Sequence, residues 1–168
     1  VGWAWVQRQG HTDDPDFVLG QFGHIPGRQT VPRAEFHAFI SFLQFLDKCM
    51  LQDFAAQDSV QLECTFVTDC DILYKGYLKG PMVSHGLLGD LWQDIWELID
   101  VLKWWGWTIR MRKVKSHTSE EDVAKGIITA QDRAGNKLAD EWAGKAVPTD
   151  LNKETVKATD GKAWRVQE

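Results

Sequence analysis

Apolar residues return along this chain with two periods. Where they alternate or run together over four to eight positions they predict strands, and where they return every three or four they predict helices. Residues 2–9, rich in Trp and Val, predict a first strand and residues 17–25 a second. The polar stretch between them, with Asp13, Asp14 and Pro15, predicts a turn, so the two strands form a hairpin closed by Pro26-Gly27. Thr30 to Glu35 opens a helix, with Pro32 in a first turn that tolerates it. Phe36, Ile40, Leu43 and Leu46 hold helical spacing, Phe39 and Phe42 widen the apolar face, and the pattern fades near residues 50–54. After a loop at 57–59, residues 62–68 (Leu-Glu-Cys-Thr-Phe-Val-Thr) form the β-branched and aromatic run of a strand covered on both faces. That run stops at a carboxylate, Asp69.

Residues 72–78 predict a short helix, broken by Lys79-Gly80-Pro81 and followed by loop. Leu91, Ile95, Leu98, Leu102 and Trp105 mark a long amphipathic helix with Asp90, Gln93, Asp94, Glu97, Asp100 and Lys103 on its wet face, and Gly106 stops it. From 107 to 114 the chain alternates: Trp107, Ile109 and Met111 face one way, Thr108, Arg110 and Arg112 the other. Residues 115–131 are a polar connection in which Thr118-x-x-Glu121 predicts a short helix, and Thr129-x-x-Asp132 opens a last helix that runs to about Ala146. The order β-β-α-β-α-α-β-α predicts an α/β domain of three layers, a mixed sheet flanked by helices. It spans residues 1–147, and the polar, patternless residues 148–168 read as tail or linker.

A length of 168 residues suffices for one domain with its own core. The formal net charge of −5 gives no global sign of nucleic-acid binding. Such contact must come from a local basic stripe (Arg110, Arg112, Lys113, Lys115) or from metal ions that offset acids. Cys49, Cys64 and Cys70 form no Cys-x-x-Cys pair and suggest a reducing, intracellular compartment, nuclear or cytoplasmic, and no secretion. No apolar run approaches the ~20 residues of a membrane span, so no membrane partner is expected.

Three acids stand out by position: Glu35 in the first turn of the first long helix, Asp69 at the end of the third strand, and Asp140 one helical turn after Asn136. Ligands of open α/β sheets bind just beyond the carboxyl ends of strands, which favours Asp69. Taken singly, each acid also has an ordinary role. Glu35 suits a helix dipole, Asp69 an N-cap and Asp140 an ion pair with Lys137. Their contexts argue for more. Thr30-Val31-Pro32-Arg33-Ala34-Glu35, Thr68-Asp69, Val114-Lys115-Ser116-His117 and Asn136-Lys137-Leu138-Ala139-Asp140-Glu141-Trp142-Ala143 follow one another on matching elements. Together they resemble the ribonuclease H family, whose motifs are Thr-x-x-Arg-x-Glu, Thr-Asp, Val-Lys-x-His and Asn-x-x-x-Asp-x-x-Ala.

The resemblance implies endonucleolytic cleavage of the RNA strand of RNA–DNA hybrids with two Mg²⁺ ions, or Mn²⁺ in their place. It implies Glu35, Asp69 and Asp140 as metal ligands, and His117 as a catalytic histidine serving proton transfer or product release. Thr30, Arg33 and Asn136 match positions that contact the hybrid. Carboxylates suit Mg²⁺, which prefers oxygen ligands and keeps waters and substrate phosphate. The resemblance also implies a reverse transcriptase, or another domain of a longer parent protein, as partner.

One departure matters most. Val1–Val6 matches the second strand of that family, so the first strand and its catalytic aspartate lie upstream of residue 1 or are lost. Asp13, Asp14 and Asp16 sit in the hairpin turn and do not replace it. That strand is central in the family's sheet, and its absence leaves a gap of two strand spacings, roughly 10 Å. Two expectations therefore stand side by side. One is a hybrid-cleaving nuclease present as an incomplete chain, of doubtful activity alone; the other is a hybrid-binding module with degraded catalysis. A same-fold nuclease or integrase with fewer acids fits the Val-Lys-x-His and Asn-x-x-x-Asp motifs less well.

Overall fold

A computed structural model describes residues 1–7, 19–25, 27, 30–53 and 62–146. The elements are β1 (Gly2–Gln7), β2 (Leu19–His24), α1 (Val31–Asp53), β3 (Leu62–Thr68), α2 (Asp71–Lys79), α3 (Gly89–Trp104), β4 (Trp107–Lys113), α4 (Glu120–Ala124) and α5 (Ala130–Lys145), with a 3₁₀ helix at Pro81–His85. The chain is α/β, and the expected order of strands and long helices is found. The turn acids Asp13, Asp14 and Asp16, the loop at 57–59 and the tail from 148 lie outside the described residues.

Local chemistry explains most boundaries. Gly106 takes φ +95°, a left-handed conformation that glycine adopts freely, and its N–H donates to the Lys103 carbonyl at 2.9 Å, closing α3. The short helix α4 begins one residue later than Thr118-x-x-Glu121 predicts. Ser119 is its N-cap and Asp122 the reciprocal partner, a full capping box. Thr129 caps α5 by accepting from the Asp132 N–H, but the Asp132 carboxylate turns elsewhere. Residues 81–85, expected as loop, wind into a 3₁₀ turn with Pro81 in its first turn.

The strands do not form one continuous sheet. Instead of one mixed sheet there are two separate pairs among the described residues: β1 with β2, antiparallel, and β3 with β4, parallel. A parallel pair needs a long crossover, which α2 and α3 supply.

The core lies where α1 and α3 meet. Phe36, Phe39, Leu43, Ile95, Ile99 and Leu102 are all at most 1% exposed. Burying each of these side chains stabilises the fold by roughly 1.5–3 kcal/mol. Phe39 and Phe42 carry this core to Phe66 of β3, with ring centroids 4.7 and 5.5 Å apart. Tyr77 of α2 donates its hydroxyl to the Ile109 carbonyl of β4 at 2.7 Å. On the other side, Trp5 packs on Phe42 and Phe45 and its indole N–H donates to Ser41 Oγ at 3.2 Å. Ser41 in turn donates to Gln21 Oε1 at 2.8 Å, so one hydrogen-bonded chain ties β1, α1 and β2.

The helix α5 covers β1. A Cβ on Gly2 would stand 2.0 Å from the Ala143 carbonyl oxygen, so only glycine permits this approach. Trp142 meets Phe22 of β2 edge to face at 5.5 Å. Strand directions also follow. The Ile25 N–H donates to the Val1 carbonyl, and Ile25 is a short link from the start of α1, so β1 starts near the start of α1 and runs away from it. The end of β3 meets that same start through Asp69 and Glu35, so β1 and β3 run in opposite directions.

Candidate active site

Asp69 follows β3 directly, at a strand end that is held from two sides. Thr68 is 3% exposed; its Oγ1 accepts from the Cys70 N–H at 3.1 Å, and its carbonyl accepts from the Val114 N–H at 2.9 Å. Asp69 is not a cap. The N-cap of α2 is Cys70, which makes no side-chain capping bond. The Asp69 carboxylate instead accepts from Asn136 Nδ2 of α5 at 3.2 Å, across 67 positions of sequence.

Glu35 is the fifth residue of α1, past the first turn rather than in it, where a helix dipole acts weakly. Burial, reinforced by the charges of Asp69 and Asp140, pushes its carboxyl up to about 7. Asp140 on α5 is also raised, by burial first and by Asp69 second, while His117 acts the other way. Lys137, the partner first considered for Asp140, lies 4.0 Å from Glu141 instead. Thus α1, the end of β3, α5 and the loop after β4 bring Glu35, Asp69, Asp140 and His117 into one another's electrostatic field. The His117 backbone takes φ 49°, a left-handed conformation uncommon outside glycine, and the residue is exposed.

Glu35, Asp69, Asn136 and Asp140 line one end of a cavity of about 460 Å³ that lies between β1 and β3. Thr30 and Arg33 do not line it. The Thr30 carbonyl accepts from the Ala34 N–H at 3.1 Å and starts α1. Arg33 pairs with Asp90 at 2.9 Å and joins α1 to α3. Asn136, expected to contact a ligand, holds Asp69. The basic stripe is largely neutralised within the chain. Arg110 pairs with Glu63 at 2.5 Å, Arg112 with Asp132 at 2.5 Å, Lys113 with Asp71 at 3.6 Å and Lys115 with Asp122 at 2.8 Å.

The Arg112–Asp132 pair was not foreseen. It is bidentate, with contacts of 2.5 and 2.9 Å, both residues line the cavity, and it clamps α5 onto β4. Its signal lies in the pattern: Arg112 is on the polar face of β4, and Asp132 is the acid of the Thr129-x-x-Asp132 start.

A divalent cation suits the donors here. Among the described residues, no three acidic, histidine or cysteine side chains gather closely enough to enclose an ion. Mg²⁺ does not require that, since it commonly binds one or two carboxylates and retains waters. Asp69, with Glu35 or Asp140, offers hard oxygens; Glu35 and Asp140 are raised by burial first, and their neighbouring carboxylates add a smaller repulsion that a cation would relieve. Cys64 and Cys70 carry free thiols; burial lifts the Cys64 thiol to about 12 and also raises that of Cys70, so neither is an activated nucleophile.

No family model, no curated protein and no solved structure matches this chain. Among the described residues no helix is long and apolar enough to cross a membrane.

Proposed function

We propose that this chain forms the nuclease core of a ribonuclease H-like protein, with the RNA strand of an RNA–DNA hybrid as its substrate. One observation carries the proposal. Three carboxylates named from sequence, far apart along the chain, come from three elements into one another's reach, and Glu35 is lifted to about 7 by burial first and by the charges of Asp69 and Asp140 second. The division of the sheet between β1 and β3 agrees with a ribonuclease H-like fold that lacks its middle strand.

In this proposal Asn136 fixes the orientation of Asp69 through its 3.2 Å hydrogen bond. Asp69, Glu35 and Asp140 would hold Mg²⁺, which when bound activates water and stabilises the leaving 3′-oxygen. Glu35, protonated up to about pH 7 in the absence of metal, would give up that proton to hold the ion, so binding of the cation is coupled to its deprotonation. His117, exposed beside Asp140, relays a proton between the site and solvent.

A second reading is a hybrid-binding module with degraded catalysis. It is favoured by the absence, among the described residues, of three ligating side chains gathered on one point. A labelled RNA–DNA hybrid with Mg²⁺ separates the two. The nuclease predicts slow cleavage that Asp69→Asn abolishes, with hybrid binding retained in the variant. Tight binding with no cleavage by the unaltered chain selects the binding module. Cleavage unchanged by Asp69→Asn refutes the assigned site.

A further inference from the structure

His117 stands at the middle of a short arch between β4 and α4, and the arch is tied on both flanks. Its root is Val114, 8% exposed, whose N–H donates to the Thr68 carbonyl at 2.9 Å, next to Asp69. Two residues before His117, Lys115 Nζ donates to Asp122 Oδ1 at 2.8 Å. Two residues after it, the Ser119 N–H and Oγ donate to Asp122 Oδ2 at 2.8 and 3.0 Å. One carboxylate therefore clasps both ends of residues 115–119. Arg133 of α5 adds a second tie. Its Nε donates to the carbonyl of Thr118 at 3.2 Å, and its Nη1 pairs with Glu120. Between these ties the His117 backbone takes φ 49°. A residue other than glycine persists there where its surroundings over-determine it.

The second tie comes from the helix that carries much of the site. Arg133, Asn136 and Asp140 stand at i, i+3 and i+7 of α5, the spacing of one helical face. Along that face Arg133 holds the arch, Asn136 holds Asp69 at 3.2 Å, and Asp140 stands in the electrostatic field of His117. We infer that Asp122 and Arg133 are positioning residues: they fix the backbone on either side of His117, so that its imidazole meets the Asp140 end of the site by side-chain rotation alone. The function given to His117 rests on the nuclease reading; the clasp itself does not. The residue types suit the task. Position 122 must accept from a cation and from two groups of Ser119 while completing the cap of α4, which a carboxylate does. Position 133 must reach a carbonyl and a carboxylate at once, which the planar guanidinium fork does. A histidine on an untied, exposed loop would sample many placements, and misplacement of a reacting group costs rate.

The test uses the full chain in chelator at fixed pH and follows the imidazole NMR signal of His117, assigned by its loss in His117→Ala. Asp140→Asn should shift that signal in the otherwise unaltered chain. In an Asp122→Ala or Arg133→Ala background the same substitution should shift it by less than about a third as much. Hydrogen exchange of residues 116–119 should rise at least about tenfold in Asp122→Ala, with the cores of α1 and α3 unchanged. Asp122→Asn keeps an acceptor for the Ser119 N–H but loses the charge that holds Lys115, and should fall between the two. The inference is overturned if Asp122→Ala leaves the His117 response and the exchange of 116–119 as they were. It is equally overturned if exchange rises alike in the arch, α1 and α3, since Asp122 then supports the fold and not His117. A labelled RNA–DNA hybrid with Mg²⁺ carries the result to the reaction. Asp122→Ala should lower kcat about tenfold with KM unchanged, and should add no further loss to His117→Ala; additive losses overturn the positioning role. Failure of the unaltered chain to cleave counts against the nuclease reading alone, and the imidazole and exchange data still decide the clasp.

Discussion

The two helical layers of this molecule are built differently. On one side α1 and α3 meet through side chains that water does not reach: Phe36, Phe39, Leu43, Ile95 and Leu102 are all 0% exposed. On the other side α5 has no fully buried residue and touches the strands through glycine, alanine and one tryptophan, and through the ion pair of Asp132 with Arg112. The reason lies beneath each layer. The first rests on its own interhelical contact and on both strand pairs, through Trp5 of β1 and Phe66 of β3. The second spans two strand pairs with a cavity between them, so part of its inner face has nothing to press on. The candidate site straddles the two, with Glu35 from the firm layer and Asp140 and Asn136 from the loose one. Stability therefore rests mainly on the firm layer, whereas the chemistry needs both.

Substitution in each layer gives the sharpest contrast. Phe39→Ala removes a ring that is fully buried between Phe66 and Tyr77, and should cost about 3–5 kcal/mol. Trp142→Ala removes a partly exposed ring that meets Phe22 edge to face, and should cost about 1–2 kcal/mol despite the larger side chain. Urea denaturation of both variants measures the difference. Equal losses would mean that α5 is anchored as firmly as α1.

Much of this contrast was readable in the sequence, and the unreadable part has a physical cause. The core of α1 and α3 is written in helical periodicity: Phe36, Ile40, Leu43 and Leu46 on one helix, Leu91, Ile95 and Leu102 on the other. The strands came from β-branched runs, and Gly106 marked its turn in advance. Glu35, Asp69 and Asp140 were legible only as a set, because no periodicity distinguishes a site acid from a capping or ion-paired one. The fates of Thr30, Arg33 and the basic stripe were not legible. Whether Arg33 meets a ligand or Asp90 is decided by partners 57 positions apart, which no local pattern records. The same holds for Arg112 and Asp132, 20 positions apart on different elements.

The site itself should weaken the fold as pH rises. Glu35 is shifted from 4.5 to about 7, so the fold favours its protonated form. The resulting stabilisation is fully present below pH 4.5 and is lost as pH rises through about 7, with Asp140 acting in the same direction. At about 1.4 kcal/mol per pKa unit the Glu35 contribution is at most about 3.5 kcal/mol. Asp122, held near 2 by Lys115 and Ser119, titrates below this window. In chelator the melting temperature should therefore fall between pH 5 and pH 8, and Glu35→Gln should flatten the slope. Millimolar Mg²⁺ should restore stability at pH 8 and do little at pH 5, since cation binding competes with protons. A wild-type slope of zero, or one that Glu35→Gln leaves unchanged, would remove the electrostatic basis of the site.

The smallest expected effect concerns how α5 stays in place with so little burial. Arg112 of β4 grips Asp132 in the first turn of α5 with two hydrogen bonds, and Asp132 retains only 10% of its side-chain exposure. The arginine itself is half exposed, so solvent screening limits the pair to about 1 kcal/mol. The consequence for α5 is larger than that figure suggests, because the helix has few apolar contacts to fall back on and the clamp holds the end that leads to Asn136. Arg112→Ala should lower global stability by about 1 kcal/mol, with the loss shrinking in high salt. It should raise hydrogen exchange more in α5 than in α1 or α3. If the variant instead loosens all three helices equally, α5 is not the separately held layer that its lack of buried side chains implies, and the two halves of the molecule unfold as one.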